Sequence, residues 1–231
     1  MARCKYALST LLALSLFLAA AVLIINVEAT SIPDQKALIV ISSVLGTDQH
    51  EVDKAVAFHD YLIDQGYSEG DIEFLCMEDI SFADGRSTKG NVKTAFDTLI
   101  EESTEDTELI IYISDNNHFI NGKLYYQFVG GDIPCSSVED WVDNIEFSEL
   151  TFINNGPRSG LFGAQLQGDD RIIMSSMEAD QTCSPDQFNI TRSLEDSSAD
   201  ANNDGVVSII EAFNNEEQIL EETGQTPLIW V

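Results

Sequence analysis

Lys36-Ala37-Leu38-Ile39-Val40-Ile41-Ser42-Ser43 decides the fold class of this chain. Ala37 to Ile41 is apolar without interruption, the pattern of a strand covered on both faces and hence of a parallel sheet with helices on either side. Outward from it, Val52, Ala55, Val56, His59, Leu62 and Ile63 recur at helical spacing between Asp48 and Gln65, and Gly66 supplies a stop. Asp71 to Met77 reads as a second strand. Thr88 to Glu101 reads as a helix on Val92, Ala95, Phe96, Leu99 and Ile100, and Thr107 to Ser114 as a third strand.

Beyond a polar loop from Asp115 to Gly122, Lys123 to Val129 alternates less clearly and reads as a small edge ribbon. Val138 to Ile145 is expected to be a short helix. Leu150 to Asn154, Arg171 to Met177 and Pro227 to Val231 are the fourth, fifth and sixth strands. Strands alternating with helices imply βαβ crossovers and a three-layer α/β sandwich with a mostly parallel sheet of about six strands. In such sheets chemistry gathers at the strand ends where the strand order switches.

The segment before this domain has another character. Arg3 and Lys5 precede an apolar run from Ala7 to Val27, and Val27-Glu28-Ala29 has small residues where a signal peptidase requires them. Residues 1–29 read as a signal peptide cleaved near Ala29. The apolar run also approaches the roughly 20 residues of a membrane-spanning helix, so an uncleaved N-terminal anchor is the competing reading. Either fate puts the domain at 36–231 outside the cytoplasm, secreted or tethered, with the membrane touched only through this segment.

The chain has 231 residues, 11 basic and 40 acidic; without Arg3, Lys5 and Glu28 the balance is 9 to 39, a net charge of −30. Such a charge repels nucleic acid and anionic lipid, and makes the compact state dependent on cations or salt. Cys76, Cys135 and Cys183 remain after processing. Cys76 sits in an apolar strand and reads as a buried small hydrophobe, whereas Cys135 and Cys183 lie in polar contexts and are the expected pair in an oxidising compartment. Asn189-Ile190-Thr191 fits a glycosylation sequon and points to surface exposure.

One motif names a ligand. From Asp200 to Glu211 the chain carries Asp200, Asn202, Asp204, the Val206 carbonyl, Ser208 and Glu211 at positions 1, 3, 5, 7, 9 and 12 of an EF-hand-type loop, with Gly205 at position 6. Calcium needs this alternation of oxygen donors, a glycine for the sharp turn, and a final carboxylate long enough to bind through both oxygens. The bland alternative is an Asx-rich turn that leads into a helix from Ser208 to Glu222. With no second loop in the chain, the expected role is a structural clip rather than a switch, with affinity of about 10⁻⁴ to 10⁻³ M.

Taken in order, ALIVISS, His50 opening a helix before Gly66, FLCMEDI, STKGNVKTAF, LIIYISDNN, LTFINNGPRSGLF, RIIMSSMEADQTCS and DANNDGVVSIIEAF resemble the caspase-like cysteine peptidases, most closely the legumain-type branch with its bacterial and archaeal relatives. The resemblance runs from about Lys36 to the C-terminus. It implies a caspase-like sandwich and a dyad: a His after the third strand in Ser-Asp-His-Gly, and a Cys after the fourth in Ala-Cys-x-Ser-Gly. Here Asn116 stands at the histidine position and Pro157 at the cysteine position, and neither can supply an imidazole or a thiolate. Gln49 stands where the family has the Arg of an Asn- or Asp-accepting pocket.

The expectation is therefore an exported calcium-binding scaffold that has lost its peptidase chemistry and serves as a binding or structural module. Its partner surface would lie at the strand ends, Asn116 to Asn121 and Gly156 to Leu161, suited to a peptide or a protein. The rival is an extracytoplasmic cysteine endopeptidase with a relocated dyad, His118 with Cys183. A third reading is a plain surface protein whose calcium loop serves stability alone.

Overall fold

The computed structural model describes residues 34–42, 49–182 and 188–231. The apolar run that opens the domain forms strand β1 (Asp34–Ile41), followed by helix α1 (Gln49–Asp64), β2 (Ile72–Cys76), α2 (Lys89–Glu102) and β3 (Thr107–Ser114). Three short strands come next, β4 (His118–Ile120), β5 (Lys123–Tyr126) and β6 (Ile133–Pro134), then α3 (Cys135–Val142), β7 (Glu149–Asn155), α4 (Gly160–Leu166) and β8 (Arg171–Ser175). The chain ends with α5 (Ile190–Leu194), α6 (Ile209–Leu220) and β9 (Leu228–Trp230). Among these described residues no helix is long and apolar enough to cross a membrane. The proposed signal or anchor at 1–29 and Cys183 lie outside the described residues.

The fold is α/β, a three-layer sandwich around a mixed, mostly parallel six-stranded sheet in the order β2-β1-β3-β7-β8-β9. Only the β8–β9 pairing is antiparallel. The pleat sends alternate residues of each strand to opposite faces. Leu38 and Val40 of β1 join Val92, Phe96, Val138 and Phe162 from α2, α3 and α4 on one face. Ala37, Ile39 and Ile41 join Val52, Phe58, Leu194 and Phe213 from α1, α5 and α6 on the other. Two cores thus cover the sheet, which accounts for the unbroken apolar run in β1.

Local signals set the helix ends. Thr88 accepts a bond from the Asn91 amide at the start of α2, and Ser208 with Glu211 forms a reciprocal capping box at the start of α6. Gly163 lets α4 lie on β9, since a Cβ there would come within 1.9 Å of the Trp230 ring.

Four expectations are corrected. Part of the supposed polar loop after β3 is strand: His118–Ile120 pairs antiparallel with β5, and β5 with β6, so the expected ribbon is a three-stranded sheet. The short helix begins at Cys135 rather than Val138, which carries the Cys135 side chain into the core as a free, buried thiol. That burial removes the polar context on which its pairing with Cys183 was argued. α4 and α5 carry no periodicity long enough to announce them. At the sequon, the Asn189 side chain caps α5 by accepting from the Arg192 amide, and Thr191 is buried.

Candidate binding site at the strand ends

The strand order places the switch between β1 and β3, since the chain leaves β1 toward β2 at one edge and returns to β3 on β1's other side. Ligand sites of open α/β sheets form at the carboxyl ends of the strands beside such a switch. There the Ser42 amide donates to the Ser114 carbonyl at 2.9 Å, and the Asp115 amide to the Asn155 carbonyl at 3.0 Å.

A buried carboxylate from α1 ties these ends together. Glu51 accepts from the Ser114 hydroxyl at 2.6 Å, from the Asn155 side-chain amide at 2.5 Å and from the Lys54 ammonium at 2.7 Å. Both Glu51 and Lys54 are buried, so the pair exchanges hydration for these direct bonds. Burial and the Glu51 charge push the nearby Tyr112 phenol above its ordinary range.

Asp115 is the second buried acid. Its carboxylate accepts from the Gln127 amide at 2.5 Å, which anchors the small sheet to the main one. Burial raises its pKa from 3.8 to about 7, with bonds from Ser42, Gln127 and Asn116 opposing that rise. It therefore exchanges a proton near neutrality.

The loops after β3 and β7 touch. A Cβ on Gly156 would lie 2.3 Å from the Asp115 carbonyl oxygen and 2.9 Å from the Asn117 side-chain nitrogen. Asn117 and Asn154 are buried, and neither side chain has a hydrogen-bond partner among the described residues. Buried amides without partners are uncommon, and a cluster of them marks a place where a ligand or an ordered water completes the bonding.

Beyond Gly156, Pro157 is half-buried and Arg158 takes a left-handed φ of 59°. Its guanidinium lies over the Phe119 ring, 5.9 Å from the centroid. Phe119 and Ile120 at the tip of the β4–β5 hairpin are 48% and 47% exposed, so the rim of the site offers uncovered apolar surface beside a cation.

Asn116 and Pro157 stand on the adjoining loops after β3 and β7. His118 lies on β4 rather than in a loop, half-buried with its Nε2 3.1 Å from a carboxylate oxygen of Asp132. His59, by contrast, is a packing residue, stacked on Phe82 at 4.1 Å. Asn117 falls within the surface expected from sequence, whereas the polar anchors Glu51, Asp115 and Asn154 were not singled out. Asp115 and the asparagines could have been found, because both polar runs directly follow buried strands. Glu51 carries no such signal, since an acid in a helix's first turn reads as a dipole complement.

The acidic loop lies elsewhere, between α5 and α6. The Asp204 and Gly205 amides donate to the Asp200 carboxylate at 3.2 and 3.0 Å, the Asp204 amide also to Asn202 Oδ1 at 2.8 Å, and the Val206 amide to Asp204 Oδ1 at 2.9 Å. Asn203 and Gly205 take left-handed φ values of 60° and 94°, the second of which is natural only for glycine. The turn therefore winds around the side-chain oxygens of positions 1, 3 and 5.

Glu211 closes it from the far end, accepting from the Ala201 and Asn202 amides at 3.1 Å each and from the Ser208 amide at 3.0 Å. Those bonds hold its carboxyl below the ordinary range, the Ser208 amide contributing most. Among the described residues no three His, Cys, Asp or Glu side chains are gathered closely enough to hold a metal ion. The backbone turn and the order of donors fit calcium, while Glu211 would have to turn from its amide partners toward the ion.

No protein-family model matches this chain, and no curated protein matches its sequence.

Proposed function

We propose that this chain is an exported, calcium-binding scaffold of the caspase-like, legumain-type kind that binds a peptide or protein partner at its strand ends without cutting it. One observation carries the reading. The loops after β3 and β7 pack in direct contact through Gly156, Asp115 and Asn117, the closeness a His/Cys pair would need, yet the positions in question hold Asn116 and Pro157. The unpartnered amides of Asn117 and Asn154 and the exposed Phe119 and Ile120 support binding there, the amides for a polar backbone and the apolar rim for side chains.

Calcium would be held by Asp200, Asn202, Asp204, the Val206 carbonyl, Ser208 and Glu211. Its chemistry is charge neutralisation: a divalent cation offsets three carboxylates and pins the chain between α5 and α6. The α6 capping box and the left-handed turns at Asn203 and Gly205 support a loop already wound for this purpose. Asp115, buried with its pKa raised to about 7, accepts from the Gln127 amide and serves as an anchor of the small sheet rather than as a nucleophile.

The test is incubation of the purified chain, with calcium, with unstructured peptides and with an electrophilic thiol probe. The expected result is intact peptides, with Cys76 and Cys135 unlabelled in the native protein. Hydrolysis that disappears in Cys183→Ala or His118→Ala would overturn the reading in favour of a relocated dyad.

A further inference from the structure

At the opposite, amino-terminal ends of β3 and β7 lies a cavity of about 190 Å³, in the gap between α1 and the α5–α6 pair. Sheet register builds its floor and mouth. Gln35, Glu108 and Glu149 are successive partners across β1, β3 and β7, and Ile110 and Thr151 are partners two residues further in. Alternate residues share a face, so Glu108 and Glu149 stand side by side above Ile110 and Thr151. Phe58, Tyr61 and Leu62 of α1 form one wall.

Two carboxylates directly opposite one another repel, and a fold keeps such a pair at a cost in stability. Among the described residues no lysine, arginine or histidine lines this cavity. Gln35 donates to one oxygen of Glu108 at 3.3 Å, and among the described residues Glu149 has neither an ion-pair partner nor a hydrogen bond.

A second, independent feature points inward. Tyr67 lines the same cavity, is only 8% exposed, and its hydroxyl has no hydrogen-bond partner among the described residues. Glu108 and Glu149 line the cavity together with it, and burial, then the charges of Glu108, Tyr61 and Glu149, push its pKa up to about 12. Thr151, also buried, lines the cavity, and its hydroxyl has no hydrogen bond among the described residues. A buried phenol, two acids without an ion-pair partner among the described residues, Glu108 half-buried and Glu149 exposed at the mouth, and aromatic walls make a polar end and an apolar end in one small space. Water alone would satisfy the first but not the second, whereas a cation on a hydrocarbon stem satisfies both.

We propose that this cavity binds a primary ammonium group carried on a short alkyl stem, the charge held between Glu108 and Glu149 with the Tyr67 oxygen as a further acceptor, and the stem against Phe58, Leu62 and Tyr61. The chemistry is shared by a free alkylamine and by a lysine side chain of a peptide. The site is remote from the strand-end surface and does not depend on its reading.

The test is titration of the full chain, followed by NMR of the tyrosine side chains, with n-pentylamine, with the neutral isostere 1-pentanol, and with Nα-acetyl-lysine methylamide. Saturable shifts of Tyr61 and Tyr67 are expected with pentylamine, at least about tenfold weaker with pentanol and with the Glu108→Gln/Glu149→Gln variant, and reduced by added salt. The variant removes a repulsion and so folds, which its melting temperature checks. Comparable binding of the lysine derivative assigns the site to a lysyl side chain; binding of pentylamine alone assigns it to a free amine. No saturable shift, equal binding of pentanol, or unchanged binding by the variant would overturn the proposal.

Discussion

Gly156 lies against Asp115 so closely that a Cβ at position 156 would meet the Asp115 carbonyl oxygen at 2.3 Å. The obstacle is backbone, which cannot swing aside as a side chain can. Gly156→Ala is therefore expected to destabilise the protein by about 1–3 kcal/mol or more, by parting the β3 and β7 loops. Gly70→Ala serves as the control, since nothing lies within 4 Å of the added Cβ. Urea unfolding of the two variants measures the difference.

Asp115 couples stability to pH. Its folded pKa of about 7 lies above the ordinary 3.8, so between these values the folded chain holds a proton that the unfolded chain has released. Its contribution is full below about pH 4 and is lost as the pH rises through 7. Asp115→Asn is expected to flatten that fall by roughly 1–4 kcal/mol over this range, read as the difference between the two proteins' stability–pH curves.

Both described thiols are inert while the protein is folded. Burial pushes the Cys76 and Cys135 thiols above their usual range, and a thiol reacts as its thiolate. Iodoacetamide should leave both unmodified in the native protein and alkylate both in urea, as peptide mass spectrometry would read. Rapid native labelling of Cys135 would contradict its place in the core.

Glu51 holds three elements at once. Glu51→Ala removes the acceptor of Ser114 and Asn155 and takes from buried Lys54 its 2.7 Å partner. A loss of about 2–5 kcal/mol in thermal or urea unfolding is expected.

How far the sequence could be read depended on whether the deciding contacts were local. β1 and β3 were legible because burial on both faces leaves an uninterrupted apolar run, β7 because Leu150, Phe152 and Ile153 leave a shorter one broken by Thr151, and α2 because its apolar stripe carries its own period. The Cys135 helix was misplaced by three residues, since Cys-Ser-Ser before Val138 resembles a turn and only packing against the sheet turns Cys135 inward. The β4–β6 sheet was hidden for a related reason, its strands being two to four residues long and defined by partners rather than by pattern. At the strand ends, the loops carrying Asn116 and Pro157 were legible because each directly follows a buried strand. The Glu51 network was not, because 104 residues separate Glu51 from Asn155. The amine-sized cavity was equally silent, since Glu108 and Glu149 become neighbours only through β3–β7 register.

The central claim, a scaffold clipped by calcium, is tested most directly by thermal unfolding of the native chain in chelator and in about 10 mM calcium. Ten millimolar magnesium and the variant Glu211→Gln are run beside it. At the affinity expected of an extracellular site, binding adds about 1.4–2.7 kcal/mol, a rise in melting temperature of roughly 3–10 °C. The expected result is a rise of that size with calcium, a smaller one with magnesium from screening alone, and loss of the excess in Glu211→Gln. A calcium effect no larger than that of magnesium, or one that survives in Glu211→Gln, would contradict the account.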